Sequence, residues 1–319
     1  MNLKELKDKI LDGYKISTDE AYTLETAKLN DLCDFANEIR QHFCDNKFDL
    51  CSIINAKSGK CSENCKYCAQ SSFYKTNVEE YDLLDSDTIL KEAMNNKQKG
   101  VLRFSIVTSG RKPTSKDLDK ICNIIKEIKA KTGIEVCASL GLLDKEDLKK
   151  LKAAGLTRIH NNLESSENYF KTVCTTHTTQ DKIKTIKYAQ ELNLEVCSGG
   201  ILGLGENWKD RIDMALMLRD LNVMSIPLNF LCAIKGTPYE NNKLLEVDEI
   251  LRICGIYRFV NPKAFIRLAG GRYLTKDNGK KCLQSGINSL ITGDMLTTTG
   301  ATISSDLEMV KGLGYEVRL

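Results

Sequence analysis

Short apolar runs alternate along this chain with longer segments in which apolar residues recur every three or four positions. The short runs are rich in valine, isoleucine and leucine and predict buried β-strands, whereas the longer segments have the periodicity of amphipathic α-helices. Eight such runs predict strands at residues 50–55, 102–107, 135–140, 158–163, 195–202, 225–231, 264–268 and 289–291. Helices are predicted between them at residues 88–99, 116–131, 145–154, 180–192, 210–221 and 247–259.

The alternation of strands and helices predicts a parallel sheet, because each helix returns the chain to the edge of the sheet where the next strand begins. Eight repeats are sufficient to close that sheet into a (β/α)8 barrel of the TIM type, and 319 residues suit one such barrel. We therefore expect an α/β fold in which residues 1–46 form a helical N-terminal extension and residues 47–319 form the barrel with its C-terminal region.

The composition favours a reduced, cytoplasmic enzyme that binds metal. Thirteen cysteines would indicate a disulfide framework in a secreted chain, but the N-terminus has no apolar signal core and no apolar run is long enough to span a bilayer. The 46 basic and 43 acidic residues are interspersed along predicted helix faces. This pattern is typical of solvated surfaces and indicates neither a nucleic acid nor a membrane partner.

Three cysteines in one short segment carry the most specific chemical signal. Cys61, Cys65 and Cys68 have the spacing C-x3-C-x2-C, and Tyr67 precedes the last of them. Three thiolates leave one iron of a four-iron cluster free to bind a small molecule, whereas four would close the cluster. This is the signature of radical S-adenosylmethionine (SAM) enzymes, in which the open iron binds SAM. A zinc loop is the alternative, but zinc needs a fourth ligand, and no further Cys or His follows Cys68 within a few dozen residues.

Several longer segments make the chain resemble the biotin synthase family from about residue 48 to residue 319. They are Cys65-Lys-Tyr-Cys-Ala-Gln-Ser-Ser, Asn161-Asn-Leu-Glu164, Val196-Cys-Ser-Gly-Gly-Ile-Leu-Gly-Leu-Gly-Glu206, Pro227-Leu-Asn229 with Lys235-Gly-Thr-Pro238, and Ile266-Arg-Leu-Ala-Gly-Gly-Arg272. The resemblance implies a radical SAM barrel whose C-terminal part is the region associated with biotin and thiamin synthesis.

The reaction that the resemblance implies is insertion of sulfur into dethiobiotin to form biotin. Side chains cannot remove hydrogen from a saturated carbon, so a cofactor must do so. Cleavage of SAM at a [4Fe-4S] cluster would supply the 5′-deoxyadenosyl radical. Flavodoxin or ferredoxin as reductant, iron–sulfur assembly proteins and a homodimer are the other partners implied.

The resemblance also assigns roles to residues at the ends of the predicted strands. Asn162 and Asn229 are expected to hold the ureido ring of dethiobiotin, because an amide offers both a donor and an acceptor. Glu164 stands where the family often has aspartate and would bind the ribose of SAM, and His177 stands where it often has arginine near SAM. The remaining residues expected to bind SAM are Tyr67, Gly200, Ile201 and Gly203.

The sulfur source departs from the family pattern. Cys137, Cys197 and Arg267 match ligands of the family's second, auxiliary cluster, whose sulfide enters biotin, but Ser105 replaces the remaining cysteine. Serine is a poor ligand for iron compared with a soft thiolate. Cys51 lies on the neighbouring first strand, where the family has serine, so we predict that Cys51, Cys137 and Cys197 hold the auxiliary cluster.

Other assignments remain open at this point. Cys232 is a second candidate for the lost ligand, the auxiliary cluster can be [2Fe-2S] or a larger sulfide-bearing cluster, and Arg267 either binds iron or contributes only its charge. The other cysteines, including Cys174, are assigned mainly to packing. A hydrogenase-cofactor maturase and a non-catalytic iron–sulfur carrier are the alternative functions, and the carrier would leave SAM intact.

Overall fold

Parallel strands close into a barrel in the computed structural model, which describes residues 2–293 and 301–319. Strands β1 to β5 pair in chain order, β5 then pairs with β7, and β7, β8 and β9 continue the sheet until β9 pairs with β1. The α/β barrel predicted from the sequence is therefore confirmed. The strands are β1 (Lys47–Lys57), β2 (Arg103–Thr108), β3 (Glu135–Ser139), β4 (Arg158–His160), β5 (Glu195–Cys197), β6 (Gly200–Leu202), β7 (Ser225–Phe230), β8 (Phe265–Leu268), β9 (Ser289–Thr292) and β10 (Glu316–Val317).

Helices surround the barrel and connect its strands. Most begin at a side-chain cap, such as Thr114, whose hydroxyl accepts the backbone N–H of Asp117 at the start of the longest helix. That helix ends at Gly133, which has a left-handed φ of 63°. The helices are α1 (Leu3–Leu11), α2 (Thr18–Thr23), α3 (Leu29–Cys44), α4 (Ser86–Gln98), α5 (Ser115–Thr132), α6 (Lys145–Ala153), α7 (Glu167–Val173), α8 (Thr179–Glu191), α9 (Trp208–Asp220), α10 (Val247–Val260), α11 (Lys280–Leu283) and α12 (Ile303–Gly312).

The first three helices pack against the outside of the barrel. Leu32 of α3 lies so close to Gly255 of α10 that a methyl group on that glycine would be 2.8 Å from the leucine Cγ. Arg252 of α10 donates a hydrogen bond to the carbonyl of Ala27 at 2.5 Å. Residues 294–300, which fall within the predicted C-terminal region, lie outside the described residues. No helix of the described chain combines the length and apolar character needed to cross a bilayer.

The predicted strand at 195–202 is interrupted in the structure. It forms β5 and β6, with Ser198 and Gly199 between them, and β6 pairs only with β7. The backbone N–H of Gly199 donates to the side chain of Asn162, 3.0 Å away, instead of joining a ladder. A Cβ atom at Gly199 would lie 1.9 Å from the carbonyl oxygen of Pro227, so only glycine lets the chain pass β7 here. The predicted strand at 158–163 is similarly short, since β4 ends at His160.

Residues at alternating strand positions point into the barrel. On β1 the inward series is Asp49, Cys51 and Ile53, while Leu50 between them is fully buried against the surrounding helices. The inward positions are far more polar than the outward ones. The apolar core that stabilises the fold therefore lies mainly between the barrel and its helices, and the interior is available for chemistry.

Replacing Gly199 with alanine should destabilise the fold, because the new methyl group overlaps the Pro227 carbonyl. We expect the free energy of unfolding of the cluster-free protein to fall by about 1–3 kcal/mol in urea denaturation. Gly312→Ala is the matched control, since nothing lies within 4 Å of its added methyl group. A Gly199→Ala protein as stable as the Gly312→Ala protein would contradict the close approach.

Candidate active site

A cavity of about 320 Å³ lies inside the barrel, toward the carboxyl ends of the strands. Tyr67 and Cys68 line it from the loop after β1, and Cys51, Cys137 and Cys197 line it at a deeper level. Apolar side chains form much of the wall between the two levels. One cysteine of the loop, Cys68, and all three deeper cysteines therefore face one shared cavity.

The cysteine loop is held in a compact shape by its own backbone. The N–H of Cys61 donates to the carbonyl of Gln70 at 2.9 Å, and the N–H of Ser72 donates back to Cys61 at the same distance. The N–H of Cys68 donates to the carbonyl of Cys65 at 3.0 Å, which forms a tight turn. Burial raises the pKa of the Cys68 thiol to about 11. A cationic cluster bound by all three thiolates would offset this cost, so the donor set fits the four-iron cluster expected here.

Two residues from a distant part of the chain lie behind this loop. The sulfur atoms of Cys65 and Cys174 and a ring nitrogen of His177 all lie within 4.8 Å of one another, and all three residues are buried. The hydrogen bond with Cys174, together with burial, raises the pKa of Cys65. The assignment of Cys174 to packing alone is therefore incomplete. The argument against zinc also weakens, because ligands absent nearby in the sequence are present in space.

The side chain of His177 points toward Cys65 and Cys174 rather than into the cavity. Its Nδ1 lies 2.5 Å from a carboxylate oxygen of Glu63 and 3.3 Å from the sulfur of Cys174. Arg111 also contacts Glu63, at 3.3 Å. A contact between His177 and SAM stays a prediction, and this placement does not support it. The sequence offered no signal for Glu63, since His177 lies 114 residues away along the chain and Arg111 lies 48 residues away.

Glu164 is positioned by an unusual backbone conformation. Its φ is +73°, which is uncommon for a residue with a Cβ atom, and its carbonyl accepts the N–H of Ile201 at 2.9 Å. A Cβ atom at Gly200 would lie 2.5 Å from that carbonyl. The carboxylate of Glu164 lines the cavity with Ile201, near Tyr67 and Cys68. Gly203 adopts φ +94° and donates its N–H to Glu206.

The two predicted asparagines lie on the cavity wall and also hold the barrel rim. Asn162 accepts the N–H of Gly199 and donates to Glu164 at 3.3 Å. Asn229 donates to the carbonyl of Gly200 at 3.1 Å and accepts the N–H of Gly270 at 2.9 Å. Each amide therefore uses one N–H and one oxygen lone pair and keeps one of each for a ligand.

Cys51 and Cys137 both line the deep end of the cavity, on strands that flank the strand carrying Ser105. The interaction with Cys137 and the charge of Arg267 lower the pKa of Cys51, whereas the interaction with Cys51 and burial raise the pKa of Cys137. Burial raises the pKa of Cys197, but His160 and two arginines outweigh burial and bring it to about 6. A cavity end with three soft thiols, two of which have a lowered pKa, fits an iron–sulfur cluster.

Cys232 occupies a different level of the site. It follows the end of β7 and lies beside Tyr273, with its thiol 3.7 Å from the carbonyl of Phe230. Burial raises its pKa. Cys51, not Cys232, is therefore the additional thiol that contacts Cys137.

Below the cysteines, the interior is closed by a buried charge network. Oδ2 of Asp49 accepts hydrogen bonds from Arg267 at 2.8 Å, Arg158 at 3.1 Å and Arg103 at 3.2 Å. Glu195 also pairs with Arg158, at 2.7 Å. Arg267 is 1% exposed, and its Nη1 donates to the backbone carbonyls of Asp49 and Leu290. Sequence reasoning identified only Arg267, although inward-facing charges at alternating strand positions were a readable signal.

His160 is a further residue that sequence reasoning missed. It pairs in register with Cys197 on the neighbouring strand, and both side chains line the cavity. The imidazole lies close enough to the Cys197 thiol for the two groups to shift each other's pKa. The available signal was the spacing Arg158, His160, Asn162, which places all three side chains on the inner face of β4 and its extension.

Radical SAM enzymes as a class have a parallel barrel with a C-x3-C-x2-C loop at its mouth, whose three thiolates leave one iron of a four-iron cluster free to bind SAM. The Radical SAM superfamily matches residues 56–218, and the Biotin and Thiamin Synthesis associated domain matches residues 227–316. The chain is 57% identical to the biotin synthase of Brachyspira hyodysenteriae, covering 100% of this chain and 96% of that protein. It is 53% identical to the biotin synthase of Clostridium botulinum strain Loch Maree, covering 99% of each. The chain belongs to the biotin synthase family.

Solved structures of more distant proteins share the fold. Methylornithine synthase superposes with a TM-score of 0.84 at 19% identity, covering 98% of this chain and 97% of that one. A maturase of the [FeFe]-hydrogenase superposes with a TM-score of 0.79 at 17% identity, covering 98% of this chain and 74% of that one. At these identities the likeness concerns the fold alone, so the maturase alternative gains no functional support.

Replacing Asp49 with asparagine should destabilise the protein, because three buried arginines lose their shared carboxylate. We expect a loss of about 3–5 kcal/mol in the free energy of unfolding at pH 7. Asp220→Asn, at a surface pair with Lys15, is the control and should change stability by less than about 1 kcal/mol.

The pH dependence gives a second readout of the same interaction. Burial raises the pKa of Asp49, but the arginines, Arg267 foremost, outweigh it and lower the pKa from 3.8 to about 2. Such a carboxylate stabilises the fold fully above pH 4 or so and loses this contribution as the pH falls through 2. The stability difference between the unaltered and Asp49→Asn proteins should therefore shrink below about pH 4. A difference independent of pH would refute the charge network.

Proposed function

We propose that the protein is a biotin synthase that converts dethiobiotin to biotin by radical SAM-dependent insertion of sulfur. The observation that carries this proposal is one cavity with a three-cysteine loop at its mouth and a second set of thiols at its base. A carrier of electrons or clusters has no need for two thiol sets that face a shared substrate space. Family membership supports the same reaction.

The residues around the mouth have roles in binding the cofactors. Cys61, Cys65 and Cys68 hold a [4Fe-4S] cluster, which supplies the electron that cleaves SAM to a carbon radical able to remove hydrogen from a saturated carbon. Glu164 accepts hydrogen bonds from the ribose hydroxyls. The backbone at Gly200 and Gly203 lies against SAM, with Tyr67 and Ile201 beside it.

The residues deeper in the cavity hold and orient the substrate and the sulfur source. Asn162 and Asn229 bind the cyclic urea with the N–H and lone pair that each retains. Apolar side chains such as Ile53, Val107 and Ile291 exclude water from the reacting carbons. Cys51, Cys137 and Cys197 hold the sacrificial auxiliary cluster. Arg267 contributes positive charge beside it, because its nitrogens are engaged by Asp49 and by backbone carbonyls.

Several features of the proposal come from the family resemblance alone. A flavodoxin or ferredoxin as reductant, iron–sulfur assembly proteins that rebuild the auxiliary cluster, a homodimer and a cytoplasmic location stay predictions.

The test is an anaerobic incubation of the reconstituted, reduced protein with SAM and dethiobiotin. We expect 5′-deoxyadenosine and biotin to appear together by mass spectrometry, since the radical and the sulfur donor share one cavity. 5′-Deoxyadenosine without biotin would contradict the proposed substrate or sulfur donor, and intact SAM would support a carrier. Omission of dithionite or another reductant is the control.

The ligand assignment is tested by replacing Cys51 with serine, because serine is a poor ligand for iron. We expect iron and acid-labile sulfide to fall to the share of the SAM-binding cluster, and biotin formation to be lost while SAM cleavage persists. Cys232→Ser is the matched control and should retain both clusters. Full retention of iron and sulfide in the Cys51→Ser protein would remove Cys51 from the ligand set.

A further inference from the structure

His160 lies at the level of the auxiliary cysteines. It is the last residue of β4, and its register partner on β5 is Cys197. Both side chains face the cavity, and the imidazole lies close enough to the Cys197 sulfur to lower the pKa of that thiol. Adjacent inward positions of paired parallel strands hold the two side chains together, so the contact is built into the barrel.

The Cys197 sulfur differs from the other two in its hydrogen bonds. Ser225 donates its hydroxyl to Cys197 at 3.3 Å, in addition to the contact with His160. Among the described residues, the Cys51 thiol instead contacts the Ser52 carbonyl and the Cys137 thiol. Side-chain N–H and O–H donors therefore converge on only one of the three auxiliary cysteines within the described part of the chain.

We propose that His160 is a positioning residue of the auxiliary centre, which donates an N–H hydrogen bond to the Cys197 sulfur and thereby raises the reduction potential of the cluster bound there. This inference rests on the proposed function, because it assumes that Cys197 binds the auxiliary cluster. A neutral imidazole is sufficient, since either tautomer carries one N–H.

The direction of the effect follows from electrostatics. Reduction adds negative charge to the iron–thiolate unit, and a hydrogen bond to a ligand sulfur stabilises that charge. Cys197 is 7% exposed, so water screens the interaction weakly. The nearby arginines also favour reduction, but Asp49 and Glu195 neutralise much of their charge. Among the described residues no carboxylate accepts a hydrogen bond from His160, so the effect of removing its N–H should be measurable.

The test is the midpoint potential of the auxiliary cluster, followed by EPR during an anaerobic redox titration. Full-length protein with Cys61, Cys65 and Cys68 changed to alanine removes the SAM-binding cluster and its signal. In this background, His160→Leu removes the donor, whereas His160→Gln keeps a side-chain N–H. We expect His160→Leu to shift the potential to a more negative value and His160→Gln to restore much of the shift.

Two further variants serve as the positive and the negative control of the measurement. Ser225→Ala removes the second donor to Cys197 and should shift the potential in the same direction. Ser105→Ala changes a nearby cavity residue for which no hydrogen bond to Cys197 is present, and it should leave the potential unchanged.

Three outcomes would overturn the inference. They are an unchanged potential in His160→Leu, equal shifts in the leucine and glutamine variants, and direct nitrogen coordination of iron detected by pulsed EPR after ¹⁵N-histidine labelling. The proposed function is tested separately, by biotin formation in the protein that keeps Cys61, Cys65 and Cys68. A background protein that assembles no cluster, while the protein with these cysteines forms biotin, would also overturn this inference and leave the proposed function standing.

Discussion

The carboxylate of Asp49 is the interaction on which the interior of this barrel depends. It lies on β1, is fully buried, and accepts hydrogen bonds from arginines on β2, β4 and β8. Three guanidinium groups cannot remain buried side by side without an anion, because their repulsion and desolvation would be uncompensated. The network joins four strands and places positive charge directly below the cysteines. Thiolates and an anionic cluster are favoured at that level for the same reason.

Every second residue of a strand faces the barrel interior, so the inward residues above this charge network form successive layers of the site. On β4 and its extension, Arg158 belongs to the charged base, His160 lies beside Cys197, and Asn162 reaches the rim. Successive inward positions are about 7 Å apart along a strand. Charge, soft ligands and amide groups are therefore stacked along the barrel axis. With the proposed residue roles, this order would place the sulfur source beneath the substrate and the radical source above it.

The arrangement of the deep cysteines follows from neighbouring strands. Cys51 on β1 and Cys137 on β3 line the cavity on either side of Ser105 on β2, and the proposed exchange of cluster ligands rests on this arrangement. The same reasoning explains why Cys232, beyond the end of β7, does not join that group. Behind the mouth, Cys174 and His177 approach Cys65 from the segment around α7 and give that cysteine a buried polar neighbourhood. Each cysteine of the site thus has a distinct environment.

The sequence by itself determined the eight-stranded barrel, the cysteine loop and the family. Apolar periodicity and cysteine spacing are local properties of the chain. The elements predicted from them are therefore present in the structure, with small shifts of their first and last residues. The break at Gly199 was not readable, because its cause is the carbonyl of Pro227 on another strand. Only the tertiary structure decided that Asp49 neutralises three arginines, that His160 adjoins Cys197 and that Cys174 adjoins Cys65. Those contacts join residues far apart in the chain, and strand register, barrel closure and the packing of loops determine which of them meet.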